Sequence, residues 1–175
     1  LRLAGLTDAS VDPPGGKLLR NANGTLSGIL LENAMVLIDQ VIPPLKGTRL
    51  QELLKQTQQH LLSLGITCVH DFDGLECLEA LQTLEANGEL YLRVCKNLPG
   101  NRIEEIAQCG YKSGVGSGHL RFSALKFFAD GALGPQSAAM LDPYEGSTSR
   151  GLLQMDADAV FEQGLHATEL GWPLA

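Results

Sequence analysis

Lys126 is the residue whose setting most constrains the chemistry open to this chain. It is the one charged group in the apolar run Leu125–Ala129, which stops at Asp130-Gly131. A loop rich in Gly, Ala and Ser follows, closed by Asp142-Pro143-Tyr144. An ammonium ion loses its hydration in such a run, and only a partner or a change of charge offsets that loss. The side chain must therefore be neutralised, paired or converted. One conversion is carboxylation, in which the amine adds carbon dioxide, releases a proton and becomes a carbamate anion able to bridge two divalent metals. The structural alternative is a lysine snorkelling from an edge strand.

Other reactive groups stand where short apolar runs give out. Ile66–Phe72 closes on His70-Asp71, Leu90–Cys95 is followed by Lys96-Asn97, and Leu120–Ala129 leads into Asp130. In parallel barrels chemistry gathers at the C-terminal ends of strands. His70 is thus a candidate catalytic group over the site mouth, or a strand-end imidazole held by a backbone carbonyl. Asp130 either begins a turn, as Asp-Gly favours, or orients Lys126 and holds the loop as a catalytic residue. Asp71 and Arg93 are candidates for substrate contact, and a guanidinium within a strand calls for a carboxylate partner. Glu32 is suited to the first turn of a helix, where the dipole favours an anion. His60, His119 and His166 read as surface groups.

The elements that must position these groups follow from periodicity. Asn23-Gly24 between Lys17–Arg20 and Thr25–Leu31 predicts a β-hairpin, with a helical stretch from Glu32 through Gln40. Thr48 with Gln51 has capping-box spacing ahead of a leucine-rich helix stopped at Gly65. Then come a strand at 66–72, a helix at 75–87, a strand at 90–95, a helix at 101–109, a strand at 120–129, a helix at 156–170 and a fourth strand at 172–175. That alternation is the rhythm of βαβ units on a parallel sheet. A complete eight-stranded barrel takes about 250 residues, so 175 residues accommodate about half of one. The expected class is α/β: a partial (β/α)8 TIM barrel of about strands 2–5 with their helices, preceded by a hairpin. Residues 1–47 form the hairpin and helical insertion, and residues 48–175 the half barrel.

Composition narrows the partners. A net charge of −7 with no basic cluster disfavours nucleic acid and anionic membranes, and no apolar stretch is long enough to span a bilayer. The cysteines Cys68, Cys77, Cys95 and Cys109 form no CxxC pair, so Cys68 and Cys95 read as buried thiols and a reducing cytoplasm is the expected compartment. No GxGxxG follows the first strand of the alternating region, and there is no phosphate-binding P-loop. Leu1 and the apolar run to Ala175 read as internal positions of a longer protein.

Four ordered stretches resemble amidohydrolase family 3 of the amidohydrolase superfamily. They are Asp12–Gly16 with Asn23-Gly24 and Gly28–Glu32, Gly65–Asp71, Gly88–Val94, and Lys126–Tyr144 with Gly151–Leu153. The last is similar to that family's "VKLFADGALGSRTA". The resemblance implies a distorted TIM barrel whose one or two divalent ions, zinc expected, activate water against an amide, formamide or N-acyl bond. It implies Lys126 as the carboxylated metal ligand and makes Glu32 a site-rim candidate for binding an amide-type small molecule. It also implies a His-x-His pair, two further histidines and an aspartate on other strands. No His-x-His occurs in this sequence, and Pro135-Gln136 stand where Ser-Arg is usual. The 175 residues alone are therefore expected to be inactive. The alternative is a non-catalytic α/β binding or interaction domain on the same scaffold, and exposed half-barrel edges would favour a homodimer.

Overall fold

Asn23-Gly24 reverses the chain as its residue types predict. Strands β1 (Gly16–Arg20) and β2 (Leu26–Glu32) pair antiparallel, with Lys17 opposite Leu31 and Leu18 opposite Leu30. Gly24 takes φ +85°, and the Asn23 side chain accepts from Thr25 N at 3.1 Å. The helical stretch expected from Glu32 to Gln40 shrinks to one turn, α1 (Val36–Asp39). Its physical cause is Glu32, whose φ of +51° is left-handed and cannot open a right-handed helix. The computed structural model describes residues 1–175, which divide into two units: Leu1–Pro44 with Phe128–Val160, and Leu45–Phe127 with Phe161–Ala175.

The second unit holds the βα alternation. Helix α2 (Gly47–Ser63) leads to β3 (Cys68–Asp71), α3 (Leu75–Ala86), β4 (Arg93–Pro99), α4 (Ile103–Gln108) and β5 (Leu120–Lys126). Helix α5 (Ala157–Glu169) precedes Pro173–Ala175, which runs alongside β5. The strands lie in the order β3-β4-β5, all parallel. The expected fourth strand is present as a parallel bridge, Leu125 to Leu174, with Leu125 N donating to Pro173 O at 2.9 Å. This is a mixed α/β fold carrying part of a parallel barrel. No helix is long and apolar enough to cross a membrane.

The core of this unit lies between the helices and one sheet face. Leu78, Leu81 and Leu84 of α3 and Ile103 and Ile106 of α4 pack with Val94, Leu98, Leu120, Phe122, Leu125 and Trp172. Their spacing of three keeps the residues of each helix on one face, turned toward the sheet. The capping box does not form: α2 starts at Gly47, so Thr48 falls inside the first turn, and no side chain caps the helix.

The start of β4 departs from expectation. Leu90–Leu92 read as strand, yet the ladder begins at Arg93, whose N–H bonds Thr67 O at 3.1 Å. The reason is Gln58 of α2, which is 4% exposed. Its Oε1 accepts from Tyr91 N at 2.8 Å and Leu92 N at 3.4 Å, and its Nε2 donates to Glu89 O at 2.7 Å. A helix side chain takes the backbone donors that a neighbouring strand would otherwise receive. The ladder then continues to Pro99, so Lys96 and Asn97 lie inside the strand instead of after it.

Candidate functional site

Pairing in β5 carries one irregularity. Lys96 pairs with Phe122 and Leu98 with Leu125, so one residue of β4 is matched by two of β5, Ser123 and Ala124. Such a bulge re-aims the side chains beyond it. Leu125, fully buried, joins Phe122 on the helix-covered face. Lys126, paired with Pro99, turns to the other face. There it is half-buried, with Nζ 5.9 Å from the Phe72 ring centroid, a cation–π contact. His70, exposed, lies on that same face, two residues before Phe72.

Asp71 points the opposite way. Its carboxylate pairs with Lys96, which is 0% exposed and also donates to Asp73 O at 2.6 Å. The Asn97 side chain contacts Asp71 O at 3.4 Å. Burial, then the neighbouring Asp71 carboxylate, pushes the Cys77 thiol up to about 11. Above this ion pair, α2, α3, β3 and β4 enclose a largely apolar cavity of about 270 Å³ with Gln58, His70 and Asp71 among its lining. Arg93 is at the N-terminal end of β4, exposed, and donates to Thr67 Oγ1 at 2.8 Å. The carboxylate partner expected for it is replaced by this hydroxyl, because exposure leaves the guanidinium hydrated.

The first unit organises Glu32 and Asp130. Ser137, 1% exposed, donates to Glu32 Oε1 at 2.5 Å and accepts from Ala132 N at 3.0 Å. Gln154 Nε2 donates to Glu32 Oε2 at 2.9 Å and contacts Asp130 O at 3.4 Å. Asp130 Oδ2 in turn accepts from Ala139 N at 2.9 Å. The loop 130–139 is thus stapled at both ends to carboxylates. Gly131 is required near its start: a Cβ there would lie 2.4 Å from Ser137 Oγ and 2.6 Å from Glu32 Oε1.

Sequence reasoning singled out Lys126, His70, Asp71, Glu32 and Asp130 and named Lys96 only as a group after the strand, while Ser137 and Gln154 were not singled out. Ser137 is 105 residues from Glu32, and no local pattern announces such a bond. His60 and His119 are exposed, while His166 pairs with Glu104 at 2.6 Å. Cys68, expected to be buried, is exposed, because it falls on the sheet face without helices.

A divalent metal site can be tested against these donors. Asp71, Asp73 and Cys77 bring ligand-type atoms within 4.8 Å of one another. The Lys96 ammonium already fills that space, and a second cation would meet it at hydrogen-bond range, so the cluster does not suit a metal. Lys126 suits one position of a metal centre: it stands at the C-terminal end of a parallel strand, on the helix-free face.

A model of the Amidohydrolase family matches residues 1–175. A Bacillus subtilis (strain 168) protein, YtcJ, named as a candidate amidohydrolase, is 28% identical over 164 residues, covering 90% of this chain and 30% of YtcJ. Protein LONG AFTER FAR-RED 3 of Arabidopsis thaliana is 24% identical over 188 residues, covering 100% of this chain and 32% of that protein. An uncharacterized metal-dependent hydrolase from Pyrococcus furiosus superposes with TM-score 0.72 at 28% identity, over 89% of this chain and 34% of its own. One from Pyrococcus horikoshii OT3 shares the fold, with TM-score 0.72 at 24% identity over 99% of this chain and 34% of its own. The chain spans about a third of the length of the relatives it matches.

Proposed function

This chain belongs to the amidohydrolase family, and on that premise we propose that the whole protein hydrolyses a carbon–nitrogen bond other than a peptide bond, in an amide, formamide or N-acyl small molecule. The scaffold is that of a hydrolase. The observation that carries the reading is the placement of Lys126 at a strand's C-terminal end on the helix-free face, within the stretch that resembles the family most closely.

Lys126 is the residue of this chain that would hold a divalent ion, zinc expected, after its amine has taken up carbon dioxide and released a proton. Such an ion supplies an activated water and polarises the scissile carbonyl. His70 shares the sheet face of Lys126 and is placed to hold or pass a proton near the site mouth. In the other unit Glu32 and Asp130 fix loop 130–139 through Ser137, Gln154 and Ala139, and the resemblance makes Glu32 a candidate for binding substrate. The donors needed beyond Lys126 are not gathered in these residues, so the 175-residue chain alone is inactive in this reading. A cytoplasmic setting completes it, as does self-association through β3, which has a strand neighbour on one side only.

The test uses the full-length protein prepared with bicarbonate and divalent metal. Bound metal is measured by plasma mass spectrometry, and turnover is measured on a panel of N-acyl amino acids and N-substituted formamides. A carbamate resonance from labelled bicarbonate, bound metal, and loss of both metal and turnover in Lys126→Ala are expected. A metal-free full-length protein, or an unchanged Lys126→Ala, overturns the reading.

A further inference from the structure

The cavity above the Lys96–Asp71 pair has no task in the hydrolase reading. It lies among α2, α3, β3 and β4, on the helix-covered side of the sheet, whereas Lys126 is on the helix-free face. Leu81, Leu90, Leu92 and Val94 are buried in its walls, and half-buried Leu54 and Leu61 complete the apolar lining. Leu54, Gln58 and Leu61 follow one another at helical spacing, so a single stripe of α2 faces the cavity. Gln58 ties that stripe to the segment 89–92 through three hydrogen bonds, which hold the helix at a fixed distance from it.

The polar groups of the lining decide what chemistry fits. Gln58 spends its amide on backbone partners, and the Asp71 carboxylate is held by Lys96. No buried side-chain nitrogen or oxygen lacks a hydrogen bond. A polar molecule would therefore give up its own hydration without finding partners, whereas an apolar one gains contacts with every wall. An anion would meet the carboxylates of Asp71 and Asp73, and a cation would meet the Lys96 ammonium. An uncharged occupant remains. Its size follows from the volume, about 270 Å³. An apolar cavity of about 150 Å³ holds one benzene ring, so this one has room for a second.

We propose that the cavity between α2 and the β3–β4 pair binds an uncharged, apolar molecule of the size of a two-ring aromatic. It enters beside Gln58 and packs against the leucines of α2 and α3, on the opposite side of the sheet from Lys126. Binding there joins α2 to the sheet more firmly than Gln58 does alone.

The test titrates anilinonaphthalene, a neutral dye that brightens in apolar surroundings, into the full-length protein. Saturable binding of one equivalent is expected. Its sulfonate derivative should bind at least about tenfold more weakly, because the lining carboxylates repel it. Leu61→Trp, which fills the cavity from α2, should weaken binding at least about tenfold. Phe161→Ser, which removes an exposed apolar ring elsewhere in the same unit, should leave it unchanged. Hydrogen exchange on the unaltered protein locates the dye, so that a variant which fails to fold decides nothing by itself. The dye should slow exchange at the Tyr91 and Leu92 amides and along α2, and leave β1 and β2 as they were. Equal affinity for dye and sulfonate, protection confined to other elements, or no saturable binding to the full-length protein overturns the site. Binding to the 175-residue chain alone also overturns it, since the rest of the polypeptide then covers the cavity.

Discussion

Phe122 and Lys126 are four residues apart on one strand and face opposite sides of the sheet. Strict alternation would put them on the same side, with Lys126 against the helices. The extra residue between Phe122 and Leu125 shifts the phase: Leu125 takes the core position opposite Leu98, and Lys126 is released to the face that carries His70 and Phe72. A one-residue irregularity therefore decides which face of the sheet the lysine takes.

The buried pair of Lys96 and Asp71 should behave as a unit. Lys96→Met leaves the Asp71 carboxylate uncompensated, and a loss of about 3–5 kcal/mol is expected. Pairing it with Asp71→Leu should recover most of that loss, because neither charge then remains. Urea denaturation of the single and double variants measures the coupling; additive losses would mean that the two groups do not compensate each other.

Loop 130–139 should tolerate no side chain at Gly131. Gly131→Ala forces a methyl onto Ser137 and Glu32, and about 1–3 kcal/mol of destabilisation is expected. Gly134→Ala has nothing within 4 Å of the added carbon and should be close to silent. Thermal melts of the two variants make the comparison within one loop.

How much of this was legible beforehand depended on the range of the interaction. The hairpin, α2, α3 and the parallel alternation rest on local periodicity and turn chemistry, and they were readable. The late start of β4 was not, because it depends on Gln58, a polar residue in a leucine-rich helix that satisfies Tyr91 and Leu92 from more than thirty residues away. The facing of Lys126 was hidden for a related reason: a bulge leaves no mark in a short apolar run. In the candidate site, Glu32 and Asp130 were visible as carboxylates at element ends. Their shared partner Gln154 was not, since it lies 122 residues from Glu32.

Removing the Ser137 hydroxyl should loosen loop 130–139. Ser137→Ala strips Glu32 and the Ala132 N–H of a buried partner, an expected loss of about 1–3 kcal/mol. Limited proteolysis should cut within 132–139 faster in the variant than in the parent. Glu32→Ala added to Ser137→Ala should cost less than the sum of the two, as the shared bond is lost only once.

Cys77 should be unreactive at neutral pH. Its thiol is raised from 9.0 to about 11 by burial and then by Asp71, so the folded chain keeps this proton where an unfolded one releases it. The associated stabilisation is complete below pH 9.0 and is lost as pH rises from there toward about 11. Iodoacetamide should label exposed Cys109 well before Cys77 at pH 7. Comparable rates at pH 7, or a folding stability that rises through this window, would contradict the burial.

Gln58 has a consequence for the order in which the sheet is assembled. Its amide fixes where the ladder of β4 can start, so the strand has no settled register until α2 has docked. A helix side chain thus acts as the ruler for strand alignment. Gln58→Leu, apolar and similar in size, would keep the packing while erasing the ruler. The error it invites is a β4 that begins pairing at Tyr91, a shift of an even number of residues that keeps every side chain on its own face yet displaces Lys96 from Asp71.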